Sequence, residues 1–128
     1  MRGRGAGAVV VLAGVNDLAA GTSAATIFSN LQTIYDQARA DGMQVVPITV
    51  LPWSGSGSWT AGKQTETTNL NTSILAYCAT NGLVCIDAYN SALRTGTALT
   101  GIYDSGDGLH PNLAGSSVLA NLVKAAFP

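Results

Sequence analysis

AVVVLAGVND, residues 8–17, begins as an uninterrupted apolar run rich in β-branched side chains and breaks off at Asn16 and Asp17. A run that short, with no polar alternation, predicts a strand over residues 8–13 buried on both faces. Strands of that kind belong to parallel sheets covered by helices, so the rest of the chain should alternate helix with strand.

From Ser23 to Asp41, Ile27, Leu31, Ile34 and Ala38 recur at helical spacing, with Thr22 or Ser23 as N-cap and Gly42 as the stop. QVVPITVL, Gln44–Leu51, is a second strand, in which Pro47 removes one ladder donor and suggests an edge position or a bulge. PWSGSGSWTAG, residues 52–62, is a Gly/Ser-rich loop bracketed by Trp53 and Trp59. Lys63–Asn81 reads as a helix with Leu70, Ile74, Tyr77 and Cys78 on one side, and LVCID, Leu83–Asp87, as a third strand. Residues 90–96 carry a short helical turn, residues 100–110 read as loop, and Asn112–Phe127 closes as a helix with Val118, Leu119, Leu122 and Val123 facing the core. The pattern predicts right-handed crossovers with helices on both faces, and ligands in such sheets bind beyond the carboxyl ends of the strands.

The composition narrows the function. A chain of 128 residues with no internal repeat suits a single domain, 1–128. Only 10% of residues are charged and the net charge is -1, so there is no basic stripe for nucleic acid or anionic lipid. Mean hydropathy is +0.27, yet no apolar run approaches the roughly 20 residues of a bilayer span. The opening MRGRGAGAVVVLAG reads as a strand with a basic lead-in and not as a signal peptide. Gly3–Gly7 precedes a strand instead of joining strand to helix, so it is no dinucleotide fingerprint. One histidine and scattered aspartates argue against a zinc site, and no ordered ligand run supports calcium at Asp104 and Asp107. Cys78 and Cys85 are either two buried thiols or a helix-to-strand disulfide, and their spacing does not fix the geometry. If bonded, they place the chain in an oxidising compartment, secreted or periplasmic.

The strand ends gather Asn16, Asp17, Asp87, Asp104, Asp107 and His110 at one rim. GDGLHPN, Gly106–Asn112, holds the only histidine of the chain, three residues after Asp107. In a tight loop that imidazole can donate Nδ1–H to the carboxylate, which leaves Nε2 as a base. The same residues also make a surface loop that caps a helix. In GVND, Gly14–Asp17, the Asn16 amide can face a developing oxyanion, though Gly, Asn and Asp equally make a turn.

Together and in this order, GVND after a buried strand and DGLHPN before a final helix resemble the Asn-bearing and Asp/His-bearing blocks of the SGNH, or GDSL-type, hydrolases, a family of esterases and lipases. The resemblance runs from Val9 to Phe127. It implies a three-layer α/β fold with a flavodoxin-like parallel sheet, no metal or organic cofactor, Asn16 as oxyanion donor, Asp107 as orienter of the imidazole, and His110 as general base. Pro111 and Asn112 match the usual start of the last helix, and Gly115 its close packing. The family's Gly-Asp-Ser block, with its nucleophile, and the glycine of its second block have no counterpart upstream of GVND. On that comparison the sheet is truncated to about three strands.

Three expectations follow. The chain is a carboxylic-ester hydrolase for short acyl esters, with water or a substitute serine (Ser54, Ser56 or Ser58) as nucleophile. Alternatively it is an inactive remnant that binds ligands, with Trp53 and Trp59 as the substrate loop. Or a second copy completes it, as a homodimer through the exposed strand edge near Val9–Leu12.

Overall fold

The computed structural model describes residues 7–128. The expectations for the opening arginines and for Gly3–Ala6 of the glycine-rich stretch fall on residues 1–6, outside the described residues.

Strand β1 (Ala8–Val11) leads through Gly14 into a short helix α1 (Val15–Ala19), then α2 (Ala24–Ala40), β2 (Gln44–Pro47) and the long helix α3 (Ala61–Asn81). A two-residue hairpin, β3 (Arg94–Thr95) with β4 (Ala98–Leu99), and a 3₁₀ turn at Gly101–Tyr103 precede the last helix, α4 (Leu113–Ala125). β1 and β2 pair in parallel, Ala8 opposite Gln44 and Val11 opposite Pro47. The third predicted strand contributes one parallel bridge, Ile48 to Ile86.

Among the described residues, three of the four α-helices start where a side chain supplies a missing acceptor, while α1 starts at Gly14 without one. Ser23 Oγ accepts Thr26 N–H at α2, Thr60 Oγ1 accepts Lys63 N–H at α3, and Asn112 Oδ1 accepts Gly115 N–H at α4. Gly82, in the left-handed region at φ 63°, ends α3. The buried face of α2 is Ile27, Leu31 and Tyr35; Ile34, expected inside, is 49% exposed. Tyr35 takes that position, its ring tilted at 43° to that of Tyr77 of α3 with the centroids 5.2 Å apart.

Two apolar clusters sandwich the sheet. Val45 faces α1, α2 and α3 through Leu18, Ile27, Leu31, Leu70 and Ile74, while Val46 and Ile48 face the hairpin and α4 through Leu93, Leu99, Leu119 and Leu122. This alternation along β2 is what makes three layers, and it accounts for the continuous apolar sequence of QVVPITVL.

Two expectations are corrected. Pro47 is not at an edge, because β2 lies between β1 and the Ile86 bridge. Ile86 N–H donates to Pro47 O and Thr49 N–H to Ile86 O, so that ladder begins at the proline's own carbonyl and its missing donor is not needed. β1 in turn is not buried on both faces. Val9 and Val11 pack against the larger cluster, whereas Val10 and Leu12 on the opposite face are 38% and 40% exposed. The second layer covers β2 and Ile86 but stops short of β1. The helical turn expected over 90–96 is a turn followed by the β3–β4 hairpin.

Cys78 and Cys85 are joined in a disulfide, Cα atoms 5.9 Å apart, tying the end of α3 to the segment of Ile86. In a chain-entropy treatment, closing so short a loop stabilises by roughly 2–3 kcal/mol. Reduction is therefore expected to lower the urea midpoint by about 1 M, and an unchanged midpoint would show that the bond constrains nothing the fold does not already hold.

Candidate active site

The segments that follow β1 and β2 meet the loop before α4 at one rim. They enclose a cavity of about 210 Å³ whose walls are Leu12, Ala13 and Val15 after β1, Val50 and Leu51 after β2, and Leu109, His110 and Pro111. The imidazole is the one titratable group in this otherwise apolar lining.

The loop that presents it is built almost entirely by short-range hydrogen bonds. Asp104 Oδ1 accepts the N–H groups of Gly106 and Gly108 at 2.9 and 3.0 Å. Ser105 N–H closes the loop on His110 O, and Asn112 Nδ2 holds the carbonyls of Ile102 and Asp104. Gly106 and Gly108 adopt φ values of 108° and 70°, which a side chain would resist. Asn112 thus caps α4 and braces the loop at once. Gly115 lets α4 sit against Tyr103, since a Cβ there would lie 2.7 Å from its carbonyl oxygen.

Within this frame His110 Nδ1 lies 2.6 Å from Asp107 Oδ2. The other oxygen, Oδ1, accepts Leu109 N–H and His110 N–H, both at 2.8 Å, and the Ser105 hydroxyl at 3.1 Å. The imidazole contact foremost, then these backbone donors, hold the Asp107 carboxyl well below its ordinary value of 3.8. It is ionised across the neutral and mildly acidic range, and it can only accept from His110. The neutral ring then carries its proton on Nδ1 and leaves Nε2 bare. His110 keeps 68% of its side chain exposed, so Nε2 has room for a water or a substrate.

Asn16 sits in the first turn of α1, next to Val15 of the cavity wall. Gly14, at φ 117°, makes the tight entry, and a Cβ there would press on Leu70 and Ile27. Lys63 Nζ donates to Ala19 O and Ser58 O, pinning the far end of α1. The Asn16 side chain is exposed, with no hydrogen-bond partner among the described residues.

The other singled-out residues are distributed differently. Asp87 accepts Asn90 N–H and Nδ2–H and so holds a turn, and Asp104 serves the loop as above; an Asx turn is a signal their sequence context already carried. Ser54 Oγ accepts the Thr97 hydroxyl, and Ser56 Oγ accepts Ser58 N–H. No serine hydroxyl bonds Nε2 of His110 among the described residues. Trp53 is fully buried, its indole N–H given to Thr67 Oγ1 at 3.0 Å. Trp59 is half-buried and bonds Gln64 Oε1. Among the described residues no group of three His, Cys, Asp or Glu side chains could hold a metal, and no helix is long and apolar enough to cross a membrane.

A three-layer α/β fold thus carries an Asp–His pair beside a cavity at its strand ends, where ligands of such sheets bind. Residues 3–118 match the model of the GDSL-like Lipase/Acylhydrolase family, and the chain belongs to that family. Among solved structures it is similar to a Bacteroides fragilis protein provisionally described as an acylhydrolase, with 30% identity and a TM-score of 0.84 over 94% of this chain and 60% of that one. It is similar as well to a GDSL-like lipase from Bacteroides thetaiotaomicron, with 27% identity and a TM-score of 0.82 over 93% of this chain and 60% of that one. An acetyl xylan esterase, AlAXEase, shares the fold at 19% identity and a TM-score of 0.75, covering 94% of this chain and 67% of that one. This chain thus spans about three-fifths of the length of the first two. No curated protein matches it.

Proposed function

We infer that this chain hydrolyses carboxylic esters with short acyl groups. The observation that carries this is the Asp107–His110 hydrogen bond at the lip of the apolar cavity. The acyl group lies in the cavity and its carbonyl carbon faces Nε2. That nitrogen takes a proton from water, the resulting hydroxide adds to the carbon, and the Asn16 amide donates to the oxyanion. When the tetrahedral centre collapses, the imidazolium returns the proton to the departing alkoxide, giving acid and alcohol. Asp107 holds the ring in the right tautomer and offsets its transient positive charge. Water is taken as the nucleophile because none of the Ser54, Ser56 and Ser58 hydroxyls bonds the imidazole among the described residues; the ring's contact is to Asp107.

The test is hydrolysis of p-nitrophenyl acetate and butyrate by the purified protein against a buffer blank, with His110→Ala beside it. Rates that match the blank in both proteins favour the other reading, an inactive member that binds ligands. Because Trp53 is enclosed in the core, Trp59 alone would meet a ligand in that case.

β1 supports a further part of the proposal, a homodimer through the edge near Val9–Leu12. β1 has β2 on one side and no strand on the other among the described residues, its sequence is uncharged, and Val10 and Leu12 stand open beside it. Such an edge is a template for a second strand. Light scattering at micromolar concentration should give twice 13.0 kDa, and Val10→Lys should return the monomer mass. A monomeric wild type would remove the dimer. The disulfide supports an oxidising, secreted or periplasmic setting.

A further inference from the structure

The loop that carries His110 touches one other loop through bare backbone. Gly55 lies against Gly108: a Cβ on Gly55 would come within 2.9 Å of the Gly108 Cα, and one on Gly108 would overlap the Gly55 peptide. Real Cβ atoms do not approach a backbone atom that closely, so any side chain at either position moves one loop away from the other. Gly57, two residues on, has open space around it, and neither Gly55 nor Gly57 needs a positive φ. The glycine at 55 therefore answers to the contact and not to its own conformation.

The two surfaces are not equally free to yield. On one side, residues 53 and 54 are fixed just before Gly55. The Trp53 indole is locked in the core on Thr67, and Ser54 is held twice by Thr97, N–H to carbonyl and hydroxyl to hydroxyl. On the other side, Gly108 adjoins the groups that define the catalytic pair. It follows Asp107 directly, its own N–H is held by Asp104, and the next two N–H groups, Leu109 and His110, donate to Asp107 Oδ1. A shift of Gly108 by a few tenths of an ångström is transmitted straight into the Asp107 geometry.

We propose that Gly55 is a positioning residue, through which the 52–60 loop buttresses Gly108 and sets the Asp107–His110 pair for the proposed hydrolysis. It rests on that functional reading for its purpose, but its geometry is tested independently. The chain has a single histidine, so long-range ¹H–¹⁵N correlation of the imidazole reports one ring, at a pH where it is neutral. Wild type and Gly57→Ala should both show the Nδ1–H form. Gly55→Ala should move the ring toward the mixture of an unrestrained imidazole, with the hydrolysis rate falling on the order of tenfold to a hundredfold. Circular dichroism and a thermal melt establish that each variant is folded. If Gly55→Ala does not fold, Thr97→Val carries the test: it removes only the hydroxyl that steadies Ser54, and should shift the tautomer balance in the same direction by less. A tautomer spectrum unchanged from wild type in the folded variant overturns the proposal. A wild-type rate equal to the blank sinks the hydrolase reading instead, and leaves the tautomer result to stand or fall by itself.

Discussion

His110→Ala should reduce hydrolysis of p-nitrophenyl acetate and butyrate by at least about 10²-fold, leaving it at the buffer blank. General-base catalysis by a positioned side chain contributes typically about 10² to 10⁴, and no other imidazole exists in the chain to take over. Asp107→Asn provides the second arm. It keeps the ring but replaces an acceptor-only carboxylate, which now holds Nδ1 at 2.6 Å, by an amide that can present its NH₂ group to that nitrogen. The tautomer with a bare Nε2 then loses its preference, and a comparable loss on the order of 10² to 10⁴ is expected. His110→Ala sits on an exposed loop and should barely move the melting temperature, whereas Asp107→Asn keeps an oxygen for the Leu109 and His110 N–H groups but loses the charge they hold, and a modest fall is expected there. If either variant keeps the wild-type rate, the loop is a helix cap and nothing more, and ligand binding becomes the reading to pursue.

Trp53→Ala should produce the largest loss of stability. The side chain is wholly enclosed among residues of the larger cluster, and deleting a buried indole costs about 3–5 kcal/mol in transfer and cavity terms. The Thr67 hydroxyl it serves also donates to Lys63 O, so it is not left unpaired. With a urea slope of about 1.5–2 kcal/mol/M for a chain of this size, the midpoint should fall by roughly 2 M. Trp53→Phe separates the two contributions. It retains most of the volume, loses the indole N–H bond to Thr67, and should cost only about 1–2 kcal/mol. An alanine variant within about 1 kcal/mol of wild type would mean that the core collapses around the gap, and that the anchor of the 52–60 loop lies elsewhere.

Local spacing was enough to place the three long helices and the first two strands, and to bring Asp107 within reach of His110, but not to find α1 or the β3–β4 hairpin, where the sequence by itself suggests a loop and a helical turn. Leu70, Ile74, Tyr77 and Cys78 mark one face of α3, Ser23 and Asn112 stand at helix starts, and Asp107 lies three residues before the histidine, a spacing that allows the contact the structure shows but equally suits a capping loop. Tertiary structure decided what depends on neighbours distant in sequence. Pro47 looks like an edge residue until the Ile86 ladder is seen to begin at its carbonyl, and the valines of β1 look doubly buried until the second layer stops short of them. Ile34 and Tyr35 are both compatible with the helical period; in the fold it is Tyr35 that is buried, beside Tyr77 of α3. Trp53 and Trp59 bracket their loop symmetrically in sequence, yet one is fully enclosed on Thr67 in the core while the other is only half-buried and bonds Gln64. The approach of Gly55 to Gly108, across more than half of a hundred residues, is the extreme case. A glycine's absent side chain says that something is close, and only the packed fold says what.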